Sequence, residues 1–341
     1  LRQTRLACAV LLAVPVILVT ADRASADKFA GDFMAVGGGA RALGMGGAFT
    51  AIANDASTIY WNPAGMSGFA KRQLLFMHSE QFGDLIDYNF ASFVSPTASL
   101  VSAESEGAFG VALMHMGIDD IIVTKDLPFT DVDGDGVFEP PDDRPIYDPD
   151  ALKKESNSDY ALFGSFAAKT GWGRVGGSLK LLYTNTIAGY SATGIGLDLG
   201  YLYRGVLPGL DIGAKLQDIT GTYLSWSSGH NEYIAPSLKL GAAYRIDSDA
   251  LNGSVILAAD GDVYFEDRQN ASQFWVGNTS LDLHLGAELI FQDKVMVRGG
   301  FDAENPTAGA GFKIGVFGFD YAYLHHDDFE ATNRISGWIE F

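Results

Sequence analysis

Apolar residues alternate with small or polar ones at a period of two, over ten or more positions and repeatedly along the chain. No other feature limits so strongly what this sequence can fold into. Leu197, Leu199, Tyr201 and Tyr203 alternate with Asp198, Gly200 and Leu202. Leu281, Leu283, Leu285, Ala287 and Leu289 alternate with Asp282, His284, Gly286 and Glu288. Leu238, Leu240, Ala242 and Tyr244 face opposite to Lys239, Gly241, Ala243 and Arg245. Successive side chains of a strand point to opposite faces, so each stretch reads as a strand with one apolar face and one of glycine, alanine or charge. Sandwich strands average about 5–6 residues, whereas a tilted membrane strand needs roughly 9–11. The expected class is therefore all-β, a transmembrane antiparallel β-barrel, in preference to a secreted sandwich or solenoid.

Fourteen such segments are expected, starting near residues 71, 86, 107, 158, 173, 193, 208, 235, 251, 279, 294, 307, 318 and 333. Short turns at Thr170–Arg174, Gly205–Gly209, Ser248–Gly253, Gln292–Asp293 and Gly315–Phe317 alternate with longer polar links such as Gly221–Ala235 and Glu266–Asn278. Bacterial barrels show this asymmetry, with short periplasmic turns and longer outer loops. An even count brings both ends of the wall to the periplasmic side. Ile335, Gly337, Ile339 and Phe341 share one face of the last segment, and a terminal Phe on that face resembles the final-strand signal of outer-membrane barrels.

Residues 1–26 read as a cleavable signal peptide. Arg2 and Arg5 form a basic start, Leu6 to Thr20 an apolar run, and Ala24-Ser25-Ala26 a small-residue cleavage site before Asp27. Cys8, the one cysteine, lies inside that apolar run, so no disulfide is expected in the mature chain. Removing three basic residues and one acidic residue moves the formal charge from −19 to 20 − 41 = −21. Nucleic-acid binding needs basic surface, so such acidity argues against it. No Pro/Ser-rich linker divides the remainder, which is read as one unit: residues 27–70, then a barrel over 71–341.

Within the first of these lies ARALGMGGAFTAIANDASTIYWNPAGMSG, residues 40–68. Its glycines lack the Walker spacing and its Lys-Ser/Thr, so they make no phosphate loop. Glycine costs roughly 1 kcal/mol per residue in a helix relative to alanine. A glycine-rich stretch with turn signals at Asn54-Asp55 and Asn62-Pro63 therefore suits a compact, bent insert whose backbone passes close to a surrounding wall. These residues resemble the N-terminal motif of the PorV/PorQ family, within the wider FadL-type outer-membrane transport superfamily. The resemblance implies a plug, or hatch, inside a barrel of about fourteen strands. Asn62, Pro63, Ala64 and Gly65 would be its motif, and Arg41, Gly44, Met45, Gly46 and Gly47 the lead-in. It also implies one of two roles in the outer membrane of a Gram-negative bacterium. One is a monomeric barrel passing hydrophobic small molecules. The other is a PorV-like component of type IX secretion that binds secreted proteins and secretion-system subunits and shuttles cargo to the surface.

The longest interruption, Asp119–Asp159, carries thirteen acidic and four basic residues. Asp131, Asp133 and Asp135 supply carboxylates at positions 1, 3 and 5 of an EF-hand-type calcium loop, with Gly136 at the sharp turn. Val137 would offer a carbonyl, with Glu139 at position 9 and Asp142 at position 12. A weak extracellular Ca2+ site in an outer loop is the expectation, with a solvated acidic turn as the alternative. No G-x-S-x-G elbow occurs, and none of His78, His115, His230, His284, His325 or His326 sits in a catalytic motif, so an enzyme is not expected.

Overall fold

The computed structural model describes residues 31–83, 85–97, 106–124, 127–132, 134, 136–138, 143–148, 152–187, 189–326 and 331–341. The expected signal peptide, residues 1–26 with Cys8, lies outside the described residues.

Among the described residues, seventeen strands share one hydrogen-bonded sheet. Three of them, Thr222–Trp226, Asn231–Ile234 and Phe274–Val276, are short loop strands outside the main ring, leaving 17 − 3 = 14 wall strands. These are β1 (Gln73–Gln81), β2 (Ile86–Pro96), β3 (Gly107–Val123), β4 (Lys153–Thr170), β5 (Gly173–Asn185), β6 (Ser191–Leu207) and β7 (Leu210–Gln217). They continue with β8 (Ser237–Ser248), β9 (Gly253–Tyr264), β10 (Thr279–Phe291), β11 (Val295–Asp302), β12 (Asn305–Ile314), β13 (Phe317–Leu324) and β14 (Thr332–Glu340). Each pairs antiparallel with its sequence neighbours, and β1 pairs with β14 from Gln73↔Glu340 to Glu80↔Asn333, closing the barrel. Arg72 and Phe341 exchange backbone hydrogen bonds of 3.0 and 2.9 Å beside that seam. Closure leaves the ring of wall strands without an edge strand.

Every wall strand begins within five residues of its expected start. The one sizeable difference is at the long acidic link. The ladder continues through Ile121↔Glu155 and Val123↔Lys153 beyond a bulge between Ile118 and Ile121, so the connection shrinks to residues 124–152. Charged residues at both margins hid the extension, because outside an apolar layer the wall no longer needs alternation. Gly176 and Gly177 lie in an unbroken ladder, opposite Ala167 and Phe166 on β4 and Gly200 and Leu199 on β6.

The wall is apolar outside and mixed inside. On β10, Leu283, Leu285 and Leu289 are exposed, while Asp282 and Glu288 are buried on the other face. An outward band of large apolar side chains around a closed sheet is what a lipid environment requires. The large buried side chains Met45, Phe49, Ile59 and Met66 come from the N-terminal segment. They share a core with Met77, Tyr88, Phe90, Met114 and Phe163 of β1–β4.

Leu285 is at mid-strand and Phe317 at a strand end, both facing out. Leu285→Arg is expected to lower unfolding free energy in lipid vesicles by about 2–4 kcal/mol and Phe317→Arg by about 0–1 kcal/mol. Denaturant titration of vesicle-embedded protein checks this. Equal penalties would contradict a lipid-facing band.

Candidate functional site

The segment Ala40–Met66 follows the inner wall strand by strand. The helical turn Ala40–Leu43 starts at β14, where the Ala40 amide donates to Ser336 Oγ at 2.8 Å. Gly44 then crosses β12, its carbonyl accepting from Thr307 Oγ1 at 3.3 Å. The Gly46 carbonyl lies 3.0 Å from His284 Nδ1 on β10. Phe49 and Thr50 donate both backbone amides to Asp260 Oδ2 on β9, at 2.9 and 2.8 Å. The Ile52 carbonyl accepts from Arg204 on β6 at 2.9 Å, and the chain returns to β1 where the Ala56 amide donates to Gln73 Oε1 at 2.6 Å. The segment is thus bonded to strands around the ring and nearly completely buried from Ala40 to Met66.

Inward-facing glycines make room for it. A methyl group on Gly300 of β11 would sit 2.6 Å from the Met45 carbonyl carbon, and one on Gly286 of β10 would sit 2.9 Å from Met45 Cβ. A methyl on Gly241 of β8 would lie 3.0 Å from the Ala51 amide, and one on Gly309 of β12 would lie 3.2 Å from Gly44 Cα. Glycine weakens a strand, and its repeated use facing one chain marks a backbone-to-backbone approach. Gly46 has φ of +65° and a side chain there would strike the Phe301 carbonyl, so wall and segment both need glycine at that crossing.

The four residues of the expected motif dock on β5 and β6. Asn62 Nδ2 donates to the carbonyls of Thr50 at 2.9 Å and Tyr201 at 3.0 Å, while its Oδ1 accepts from the Ala64 amide at 3.2 Å. One buried amide thus caps the 3-10 helix Pro63–Gly68, ties it to the preceding strand of chain, and pins both to the wall. The backbone of Pro63 and Ala64 lies against Gly176 and Gly200, and Gly65 faces the Ala53 carbonyl.

Charge holds the other end. Arg41 reaches Glu288 through Nη2–Oε2 at 2.7 Å and Nε–Oε1 at 2.9 Å, and Asn54 and Asp55 of its own segment at 2.6 and 3.3 Å. Glu288 also accepts from Arg298 at 2.7 Å, which in turn reaches Asp320 at 2.7 Å. Burial alone would lower the pKa of Arg41, but Glu288 and Asp55 more than offset it and the guanidinium stays charged. On the opposite wall Lys180, Asp198, Lys215 and Asp218 form a second buried network, and Lys215 Nζ donates to the Tyr60 carbonyl at 2.6 Å. Buried charges persist only when paired and hydrogen-bonded, so these networks fix the segment in one position.

A cavity of about 240 Å³ opens beside the segment at the long-loop end of the barrel. Met34, Val36, Leu43 and Trp61 give it an apolar side, while Lys239, Asp262, Tyr264, Arg268, Asp282, His284 and Asp302 give it a polar one. The bases are already engaged: Lys239 with Asp262, His284 with Asp302 at 3.0 Å, and Arg268 with Asp282 at 3.5 Å and over the Tyr264 ring. Burial raises the Asp32 carboxyl above its ordinary pKa and the Tyr60 hydroxyl likewise. Tyr60 and Trp61 serve two purposes. They pack edge to face at 4.9 Å, with Trp61 Nε1 donating to the Gly38 carbonyl at 2.7 Å, and they also line the cavity.

The structure thus brings Arg41, Gly44, Met45, Gly46, Gly47, Asn62, Pro63, Ala64 and Gly65 into one buried unit. Among the described residues none joins them to the acidic loop. There Asp131 accepts from the amides of Gly134 at 2.6 Å and Gly136 at 2.9 Å, and Asp143 accepts from the Val132 amide at 3.0 Å. Asp133, Asp135, Glu139 and Asp142 lie outside the described residues, and Val137 is exposed. His284 shares its face of β10 with Asp282 and Glu288, but its partners are Asp262 and Asp302 on the flanking strands. Asp260, Arg298, Asp320 and Lys215 escaped notice. Their signal was a charge at an inward position of an alternating strand.

Comparison with known proteins agrees on the fold. The sequence profile of an uncharacterised protein family, UPF0164, matches residues 14–113. A UPF0164 protein of Treponema pallidum (strain Nichols) is 36% identical over 75 residues, which is 22% of this chain and 17% of that protein's length. The crystal structure of the P. putida toluene transporter TodX aligns with a TM-score of 0.56 at 14% identity, covering 89% of this chain and 99% of TodX. The CymD monoaromatic hydrocarbon channel aligns with a TM-score of 0.56 at 15% identity, covering 90% and 98%. At such identities the likeness is one of fold: a closed antiparallel barrel of fourteen strands.

Gly300→Val is expected to push Met45–Gly46 off the wall, and Asp260→Leu to orphan two buried amides at about 1–3 kcal/mol each. Both should lower the unfolding temperature in detergent and raise ion conductance in planar bilayers. Wild-type conductance in both variants would show that the segment does not obstruct the lumen.

Proposed function

We propose that the protein is a monomeric outer-membrane barrel of a Gram-negative bacterium. It passes hydrophobic small molecules through a lumen governed by the segment over residues 27–70, which acts as a plug. One observation carries the proposal: the cavity at the long-loop end has the plug itself as its apolar side. By the alternation of loop lengths that end faces the exterior. A solute arriving there would bury its apolar surface against Met34, Val36, Leu43 and Trp61, at roughly 25 cal/mol per Å² removed from water. Mostly apolar sites with a few placed polar groups are the usual form of small-molecule pockets.

The distribution of anchors suggests which part yields. From Ala40 to Met66 the plug is bonded to strands around the ring, and releasing it whole would break the buried Arg41–Glu288 ion pair and the Lys215–Tyr60 hydrogen bond. The preceding 3-10 helix Asp32–Val36 is held more lightly, through Tyr88 donating to the Gly37 carbonyl at 2.9 Å and Trp61 to that of Gly38 at 2.7 Å. Movement of this piece would enlarge the cavity while the plug body keeps its seat. TodX and CymD are described as a toluene transporter and a monoaromatic hydrocarbon channel, and a comparable apolar solute class is proposed here.

A second reading, a PorV-like shuttle for secreted proteins, draws support from the long outer loop, where Val137, Phe138, Ile146 and Tyr147 are exposed. Exposed apolar groups on a loop suit contact with a protein partner. Copurification of the barrel with secreted proteins or secretion-system subunits from the native cell would favour it over solute passage. Asp133, Asp135, Glu139 and Asp142 would complete a Ca2+ site with Asp131 and Val137 in the same loop. Among the described residues no cluster of three metal-ligating side chains is formed.

In proteoliposomes, uptake of toluene is expected for the wild type. Oxidised Met45→Cys/Gly286→Cys should retain it if only the lighter piece moves, whereas cross-linking Val36 to the wall should abolish it until reduction. Absence of uptake by the unmodified protein would refute the transport reading. For the loop, calcium is expected to raise the unfolding temperature in the wild type at about 10⁻⁴–10⁻³ M. Asp131→Asn should remove the effect, and an unchanged response would exclude the site.

A further inference from the structure

Among the described residues, every fully buried cation of the lumen but one is paired with a carboxylate. Arg41, Lys180, Lys215, Lys239 and Arg298 each touch a carboxylate. Arg334, on the inner face of β14 and only 4% exposed, touches none among the described residues. Asp302, the carboxylate whose charge it feels, is tied to His284. Arginine stays protonated in proteins, so proton loss offers no relief. A buried charge left without a partner is strongly destabilising.

Its neighbours share the deficit. Ser79 is the cross-strand partner of Arg334 on β1, and Gln81 and Thr332 continue the same inward faces toward the long-loop end. Ser79 Oγ, Gln81 Nε2, Thr332 Oγ1 and Arg334 Nε are all buried without a hydrogen-bond partner. Buried polar atoms are nearly always satisfied, and four orphans on two adjacent strands form a group. Each of the four can donate, and one carries a positive charge. Water would satisfy the hydrogen bonds but leave the charge.

We propose that this patch is an oxyanion-binding site, formed by Arg334 with Ser79, Gln81 and Thr332, that takes the carboxylate or phosphate group of a small anion. A guanidinium flanked by an amide and two hydroxyls presents several donors to the oxygens of one such group, and charge-assisted bonds of this kind are the strong ones. The site rests on orphaned donors in the wall, so it stands whether or not the barrel passes apolar solutes.

The test uses the full chain in detergent at constant ionic strength and chloride, with thermal unfolding followed as inorganic phosphate is titrated in one arm and butyrate in the other. A saturable rise in unfolding temperature is expected in at least one arm. Response to phosphate alone assigns the site to phosphate, and response to butyrate alone assigns it to carboxylated solutes. Arg334→Gln should unfold at a higher temperature than the wild type without anion, because an uncompensated charge has gone, and should no longer respond. Thr332→Val, which keeps the charge, should respond with roughly 10–100-fold weaker apparent affinity, the equivalent of one lost charge-assisted hydrogen bond. No saturable response of the wild type to either anion would overturn the proposal. So would an undiminished response in both variants.

Discussion

The close seating of one chain on the inward glycines of a closed wall is the constraint on which this structure depends. A fourteen-stranded barrel encloses more space than its own small inward residues can fill. Filling it with an ordinary helix would need a wider lumen and would leave backbone groups at the helix ends to satisfy. Here a glycine- and alanine-rich segment runs across the wall instead, giving its amides and carbonyls to Asp260, Ser336, Thr307 and Arg204. Gly241, Gly286, Gly300 and Gly309 supply the clearance. The strand weakening that glycine brings is offset by ladders that close on themselves without an edge.

Electrostatics follow from that geometry. Chain and wall meet in a region poor in water, where an unpaired charge is costly and a paired one is rigid. Arg41 is locked to Glu288, and the Lys180–Asp198–Lys215 chain ends on the Tyr60 carbonyl, so both halves of the segment are bolted to opposite sides of the ring. Only the piece before Ala40 escapes these bolts, and it borders the cavity. Rigidity and access are thus divided between two parts of one segment.

Strand number, strand positions and the alternation of short and long connections were legible because lipid outside and a small lumen inside demand strict alternation. The margin of the acidic link was not, since Asp119–Val123 and Lys153–Asp159 extend the ladder beyond any apolar layer and carry no alternating signal. Asn62 was visible as part of a resemblance, but its bond to the Tyr201 carbonyl joins residues 139 positions apart, which no local pattern signals. Asp260 and Arg298 were inward by parity alone. Which charge meets which depends on barrel stagger, and stagger does not show in a single strand.

Hydrogen–deuterium exchange on the purified barrel, resolved along residues 31–66, measures the central claim most directly. If the segment is seated on the wall, amides of Phe49, Thr50 and Ala64 exchange as slowly as those of the wall strands, and residues 31–39 exchange faster, more so with an apolar solute present. Rapid exchange throughout 40–66 would contradict it.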